Sequence, residues 1–158
     1  MHWASMLVVS AEIGIGIAGF SGIFAAVARR TPEHWGATSA LTLRVLLSAS
    51  GAAIFASLLP FVLLEAGLPE GTVWSFASAL FGIWTVGVFT VRLWEHYRAL
   101  GTAPPPAAIT RYAIAAATAV LLVVNAALLH APWPYLAAVY CNLLLAFLAF
   151  VRLLRAIS

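Results

Sequence analysis

The chain has 158 residues, of which 64% are hydrophobic and only 8% are charged. Soluble domains carry charges on about a quarter of their residues, so this composition excludes an ordinary water-soluble fold. The net charge of +3 comes with eight basic residues, all arginines, which are scattered along the chain without a long basic run. This pattern favours contact with lipid headgroups, and we expect no nucleic-acid partner.

Five apolar stretches follow one another, each long enough to cross about 30 Å of hydrocarbon as a helix. The first covers residues 4–28, and Glu12 is the one charge inside it. We interpret it as a retained helix and not as a signal peptide, because Arg29 and Arg30 follow the apolar stretch instead of preceding it. The expected fold is an all-α integral membrane protein, a bundle of five transmembrane helices in a single domain over residues 1–158. The other four stretches carry no charge and cover residues 45–64, 73–91, 112–129 and 135–151.

The arginines alternate with the spans. The second connection between spans carries only Glu65 and Glu70, and the fourth carries only His130. An excess of arginine and lysine marks cytoplasmic loops. We therefore expect the N-terminus outside, the C-terminus in the cytoplasm, and a location in a bacterial inner (plasma) membrane. The arginines lie beside the first and third connections and in the tail: Arg29, Arg30, Arg44, Arg92, Arg98, Arg111, Arg152 and Arg155.

The first stretch carries small residues on two faces. One face predicts a ridge where a second helix backbone approaches closely, with Gly14, Ala18 and Gly22 as its packing residues. The ridge recurs at every fourth position: Ser10, Gly14, Ala18, Gly22 and Ala26. The opposite face carries Glu12, Gly16, Gly19 and Ile23. The glycines at 14, 16 and 19 also spell G-x-G-x-x-G, but no preceding strand exists to build a dinucleotide site, so the pattern indicates packing.

Glu12 is the most informative residue, because a carboxylate inside a span is costly and usually has a partner, a proton or a watery cavity. It follows Trp3 by nine residues, which is on the order of 13 Å below the outer interface at helical rise. Ser57 lies near Pro60, where a helix kink is expected. We predict an ion or proton site from polar side chains that share the outer half of the bundle: Glu12, Asn125, Asn142, Ser78 and Ser57.

Two other interpretations of Glu12 stay open. A protonated carboxyl can hydrogen-bond a neighbouring helix and simply hold the bundle together. It can also lie near the mouth of a cavity if the first helix is tilted outward. The hydroxyls of the third span have a similar alternative, because such groups commonly bond their own helix, and packing is favoured over pore lining for Ser75, Ser78 and Thr85.

Aromatic and charged residues mark the predicted ends of the spans. Five tryptophans suit an aromatic belt at the interface: Trp3, Trp35, Trp74, Trp94 and Trp133. At the inner end of the third span, a dense polar run predicts a polar cluster at the cytoplasmic face, formed by Arg44, Glu95, His96 and Arg98. A solvated helix end is favoured there over a gate or a partner contact, since exposed ion pairs contribute little.

The sequence contains no recognisable constellation for catalysis or cofactor binding. The four histidines lie at predicted membrane edges, which disfavours bis-histidine haem. Neither a nucleophilic triad nor a pair of carboxylates can be placed at one depth. We therefore expect no metal, no cofactor and no enzyme activity.

Two functional hypotheses remain. The first is an oligomeric channel or transport protein for protons, ions or small solutes, in which Glu12 titrates or coordinates and Asn125, Asn142 and Ser78 line the path. The alternative is a non-catalytic accessory or structural subunit that packs beside a larger membrane complex. The expected partners are the lipid bilayer together with further copies of the chain or other membrane subunits.

Overall fold

The structure, a computed structural model, describes residues 2–28, 37–100 and 106–155, with side chains over most of these ranges. Every regular element in this part of the chain is a helix. The elements are α1 (His2–Ala28), α2 (Ala37–Glu65), α3 (Glu70–Leu100), α4 (Pro106–Val124), a five-residue π-helix that continues α4 (Asn125–Leu129), and α5 (Pro132–Arg155). The prediction of an all-α fold is confirmed.

Within the described residues, five helical segments are long and apolar enough to cross a membrane. They confirm five long apolar helices where the sequence predicted spans, in the same order and with ends that differ by a few residues. The length and composition of these helices indicate a multi-pass membrane protein. The orientation and the single-domain organisation stay predictions. The segments are His2–Ala26, Thr42–Glu65, Glu70–Val88, Tyr112–Leu129 and Pro132–Leu154.

The helices belong to two compact units. Unit 1 consists of Met1–Leu58 and Asn142–Ser158, and unit 2 consists of Leu59–Cys141. The boundaries fall inside α2 and α5, so each of these two helices contributes one part to unit 1 and the other part to unit 2.

Small side chains line the buried helix faces of unit 1. A Cβ atom placed on Gly14 of α1 would lie 3.0 Å from Cγ1 of Ile54 and 3.3 Å from the carbonyl oxygen of Ser50, both on α2. The two backbones therefore meet with no room for a larger side chain, as in other small-residue contacts between membrane helices. The buried residues of α1 lie along one face: Leu7, Ser10, Ala11, Gly14, Ser21 and Ala25.

Aromatic side chains of α3 and α5 form the core of unit 2. Trp74 and Tyr135 are almost completely buried, and their ring centroids lie 5.8 Å apart. Phe81 meets Tyr135 edge to face, with ring centroids 6.0 Å apart. Trp74 is thus a core residue, in contrast to its interpretation as part of an aromatic belt. Trp133 is exposed, as a residue of that belt should be.

One glycine lies in the connection that precedes α3, and a second lies where α3 contacts α4. Gly67 has a φ of +83°, a conformation that glycine adopts without steric penalty. The amides of Gly67 and Leu68 donate to carbonyls in the last turn of α2, which is the Schellman ending of a helix. Further along, a Cβ on Gly82 would lie 3.5 Å from Cβ of Leu122, so α3 and α4 are in close contact there.

Candidate intramembrane polar site

Glu12 lies on the exposed face of α1. Successive helical residues are rotated by about 100°, so Glu12, Gly16, Gly19 and Ile23 share an arc of about 60°. All four are exposed, whereas Ser21 lies on the opposite side of the helix and is buried. A Cβ built on either glycine of this arc would meet nothing within 4 Å among the described residues. This face is therefore uncovered in the described part of the chain.

The carboxyl group of Glu12 has no hydrogen bond and no ion pair within the residues that the structure describes. A carboxylate at the centre of a transmembrane helix costs about 2.5–3.5 kcal/mol on insertion scales. In a membrane-spanning α1, this group would need a proton, water or another protein chain. The interpretation of Glu12 as a hydrogen bond between helices of one chain has no support in the described residues.

Asn125 connects α3, the π-helix and the connection to α5. It is completely buried, and its Nδ2 donates to Oγ of Ser78 at 2.8 Å and to the carbonyl of Ala131 at 3.0 Å. The amide of Ala131 in turn donates to Oδ1 of Asn125 at 3.0 Å. The Asn125 side chain thus bonds both backbone groups of Ala131 and the hydroxyl of Ser78 on α3. These bonds give it a structural role.

The π-helix that begins at Asn125 provides the geometry for these bonds. Its closing bond runs from the amide of His130 to the carbonyl of Asn125 at 3.0 Å, and His130 has a left-handed φ of 50°. The wider turn removes regular helical partners from nearby carbonyls. Ser75 of α3 donates to one of them, the carbonyl of Ala126. No glycine lies at this turn, and Pro132 indicates only that a helix ends before it. The roles of Ser75 and Ala131 therefore could not be found from the sequence.

Asn142 and Ser57 both belong to unit 1. Nδ2 of Asn142 donates to the carbonyl of Ala49 at 2.7 Å, which ties α5 to α2. Ser57 is completely buried, and its hydroxyl has no hydrogen-bond partner in the described part of the chain; the same holds for Ser50. These side chains are therefore packed inside the unit, and Asn142 is already paired.

The structure brings together one pair from the predicted ion or proton site. Ser78 and Asn125 are bonded to each other in unit 2. Glu12, Asn142 and Ser57 belong to unit 1, where Glu12 lies exposed and the other two are buried. The convergence of all five side chains stays a prediction.

The predicted ridge on α1 is in contact with α2 at one of its three packing residues. Gly14 touches α2, Ala18 is half-buried, and Gly22 is exposed, since a Cβ added to it would meet nothing within 4 Å in the described chain. Each four-residue step rotates by about 40° around a helix, so a strict fourfold spacing leaves the contact face after two or three steps. The role of Gly22 in packing stays a prediction for contacts with another molecule.

The predicted cluster at the cytoplasmic face is described only in part. Arg44 is exposed on α2. The backbone of Glu95, His96 and Arg98 belongs to α3, but their side chains lie outside the described residues. The cluster itself stays a prediction.

Comparison with known proteins identified no relative of this chain. No protein-family model matches this chain, and no curated protein or solved structure matches it either. The function therefore has to be argued from the chemistry of the site.

Proposed function

We propose that the protein is an oligomeric membrane transport protein for protons or small cations, in which Glu12 binds and releases the transported species. The observation that supports this proposal is a carboxyl near the middle of the first apolar segment, on a face of α1 that no described residue covers. Acidic residues inside spans are typical of proton relays and cation pathways. Inserting a carboxylate into the bilayer costs free energy, so such residues are usually retained for a function.

The hydrogen bonds of the other polar side chains narrow the class of transported species. Asn125, Ser78 and Asn142 bond to one another or to backbone groups, so these bonds favour packing over the lining of a path. A polar neutral solute needs several free donors and acceptors, whereas a single carboxyl group can bind a proton or attract a cation. The transported species that we propose are therefore protons and small cations, and not other small solutes.

The test is flux through the purified protein in liposomes, with proton, Na⁺ and K⁺ gradients imposed in turn. We expect Glu12→Gln to lower the flux at least about tenfold, because an amide keeps the shape but neither titrates nor attracts a cation strongly. Glu65→Gln is the matched control, since it removes an exposed carboxylate at the end of α2. Its flux should match that of the parent. Unchanged flux in Glu12→Gln would exclude Glu12 from the transport path.

An accessory subunit of a larger membrane complex is the second candidate function. The observation in its favour is that the paired amides, Asn125 and Asn142, both serve contacts between helices or backbone segments. This function predicts no flux from the parent under any of the three gradients. It also predicts a stoichiometric complex with other membrane subunits when the protein is purified from native membranes.

A further inference from the structure

We infer that a second copy of this chain covers the Glu12 face of α1, which consists of Glu12, Gly16, Gly19 and Ile23, so that the carboxyls of two copies meet in one site. The inference rests on the proposed function and names its partner. A single copy supplies only half of this site, because the described residues offer the Glu12 carboxyl no bond of their own.

The shape of the Glu12 face suits a second helix. Gly16 and Gly19 leave a notch, since a Cβ on either would meet nothing within 4 Å in the described chain. The large apolar side chains of Ile15 and Phe20 flank it and are 59% and 68% exposed. The steps of four, three and four residues from Glu12 to Ile23 are those of a left-handed helix pair that crosses at about 20°.

Symmetry brings the two carboxyls together. Two copies inserted in the same orientation are related by a twofold axis along the membrane normal, and residues near such an axis face their own counterparts. Glu12 of one copy then lies opposite Glu12 of the other at the same depth. With the notch at Gly16 and Gly19 on both helices, the backbones can approach closely enough for the side chains to meet.

A carboxyl group is chemically complementary to a second carboxyl. In the protonated form it donates one hydrogen bond and accepts others, so a pair satisfies itself without further groups. Two carboxylates also attract a cation more strongly than one. The paired site is therefore the form of Glu12 that can exchange a proton or a cation.

Lipid and other helices of the same chain are poorer occupants. Lipid tails offer no hydrogen-bond donor, and α2 already contacts the opposite side of α1 at Gly14. A foreign helix would need a polar side chain at the matching depth, whereas a second copy brings one by symmetry.

Cysteine cross-linking tests this contact directly. Cys141, the chain's single cysteine, is first replaced by serine, and Gly16→Cys and Gly19→Cys are then introduced separately. Gly87→Cys on α3 is the matched control, because Gly87 is also exposed with nothing within 4 Å in the described chain. A disulfide needs Cα atoms about 4.4–6.8 Å apart, so oxidation in native membranes should link copies at 16 and 19 at least about ten times more than at 87. Cross-linking at 87 in preference to 16 and 19 would overturn the inference.

A second measurement, which does not depend on disulfide formation, counts the copies in one assembly by single-molecule photobleaching. The labelled parent, diluted in liposomes, should bleach in two or more steps. Gly19→Leu should bleach in one step with unchanged thermal stability, because its site is open within one copy, and Gly87→Leu should behave like the parent. Single-step bleaching of the parent would overturn the inference, and so would cross-linking of Gly19→Cys to a different protein in native membranes.

Flux separates this inference from the proposed function. Copies that cross-link at 16 and 19 but carry no flux would leave the interface standing and remove the transport function. Flux that survives in single-step Gly19→Leu would leave transport by one copy standing and overturn both the shared site and the oligomeric form of the transporter.

Discussion

Single buried amides connect the helices of this protein. A side-chain hydrogen bond inside a membrane protein contributes about 0.6 kcal/mol on average, but a buried group left without its partner costs about 1–3 kcal/mol. Asn142 makes one such bond to Ala49. Asn125 makes three, to Ser78 and to both backbone groups of Ala131. The stability of unit 2 should accordingly depend more on Asn125 than on other single polar residues.

Replacement of Asn125 tests this dependence. Asn125→Ala is expected to lower the free energy of unfolding by about 2–3 kcal/mol, because it leaves Ser78 and the Ala131 peptide groups unpaired. Thr118→Val is the control: among the described residues the Thr118 hydroxyl bonds only the Ile114 carbonyl of its own helix. Valine keeps the shape, so the loss should be about 0.6 kcal/mol or less. Thermal unfolding in detergent, followed by circular dichroism, measures both. Equal losses would contradict the structural role of Asn125.

At the scale of helices, the spacing of small residues decides which of them pack. The buried face of α1 follows steps that stay on one side of the helix, including Ser10, Gly14 and Ser21. Gly22, eight residues after Gly14, is rotated by about 80° away from it and is exposed. A ridge defined only by a spacing of four residues therefore includes both buried and exposed residues.

Two leucine substitutions on α1 should differ for this reason. Gly14→Leu is expected to lower the free energy of unfolding by about 1–3 kcal/mol, because its side chain would collide with Ile54 and the Ser50 backbone. Gly22→Leu should leave the unfolding midpoint of the single chain unchanged, since nothing lies within 4 Å of that site in the described residues. Thermal unfolding at low protein concentration compares them. The same midpoint for both variants would show that the α1–α2 contact at Gly14 does not carry stability.

At the scale of the whole molecule, the charges determine the expected orientation. All eight basic residues are arginines beside the first and third connections or in the tail. The second connection carries only Glu65 and Glu70. The positive-inside bias then predicts that the second connection lies outside and the third in the cytoplasm.

Accessibility of single cysteines checks this orientation. In a Cys141→Ser background, Leu68→Cys in the second connection should react with a membrane-impermeant maleimide added to intact cells. Thr102→Cys in the third connection should react only after the membrane is opened, because arginine-rich loops stay in the cytoplasm. The reverse labelling pattern would overturn the orientation, and labelling of both in intact cells would overturn the span assignment between them.

Composition and hydropathy by themselves determined the all-α fold and the five long apolar helices. Apolar runs of about twenty residues become helices because lipid cannot satisfy backbone polar groups. The sequence also singled out Glu12, as the one charge within a predicted span. It named Ser78 and Asn125 as polar side chains of one site, and the structure shows these two bonded to each other. The sequence did not show whether these polar side chains line a transport path or pack between helices. The same residue types, with the same donor and acceptor atoms, occur in both roles.

The tertiary structure decided which faces are buried and which polar groups are paired. Asn125 and Ser78 are 47 residues apart in the chain, and Asn142 and Ala49 are 93 apart. Such bonds depend on how helices are placed beside one another, which local spacing does not specify. On α1, small residues occur on two faces, and only the position of α2 determines that the face with Gly14 is covered while the face with Glu12 stays exposed.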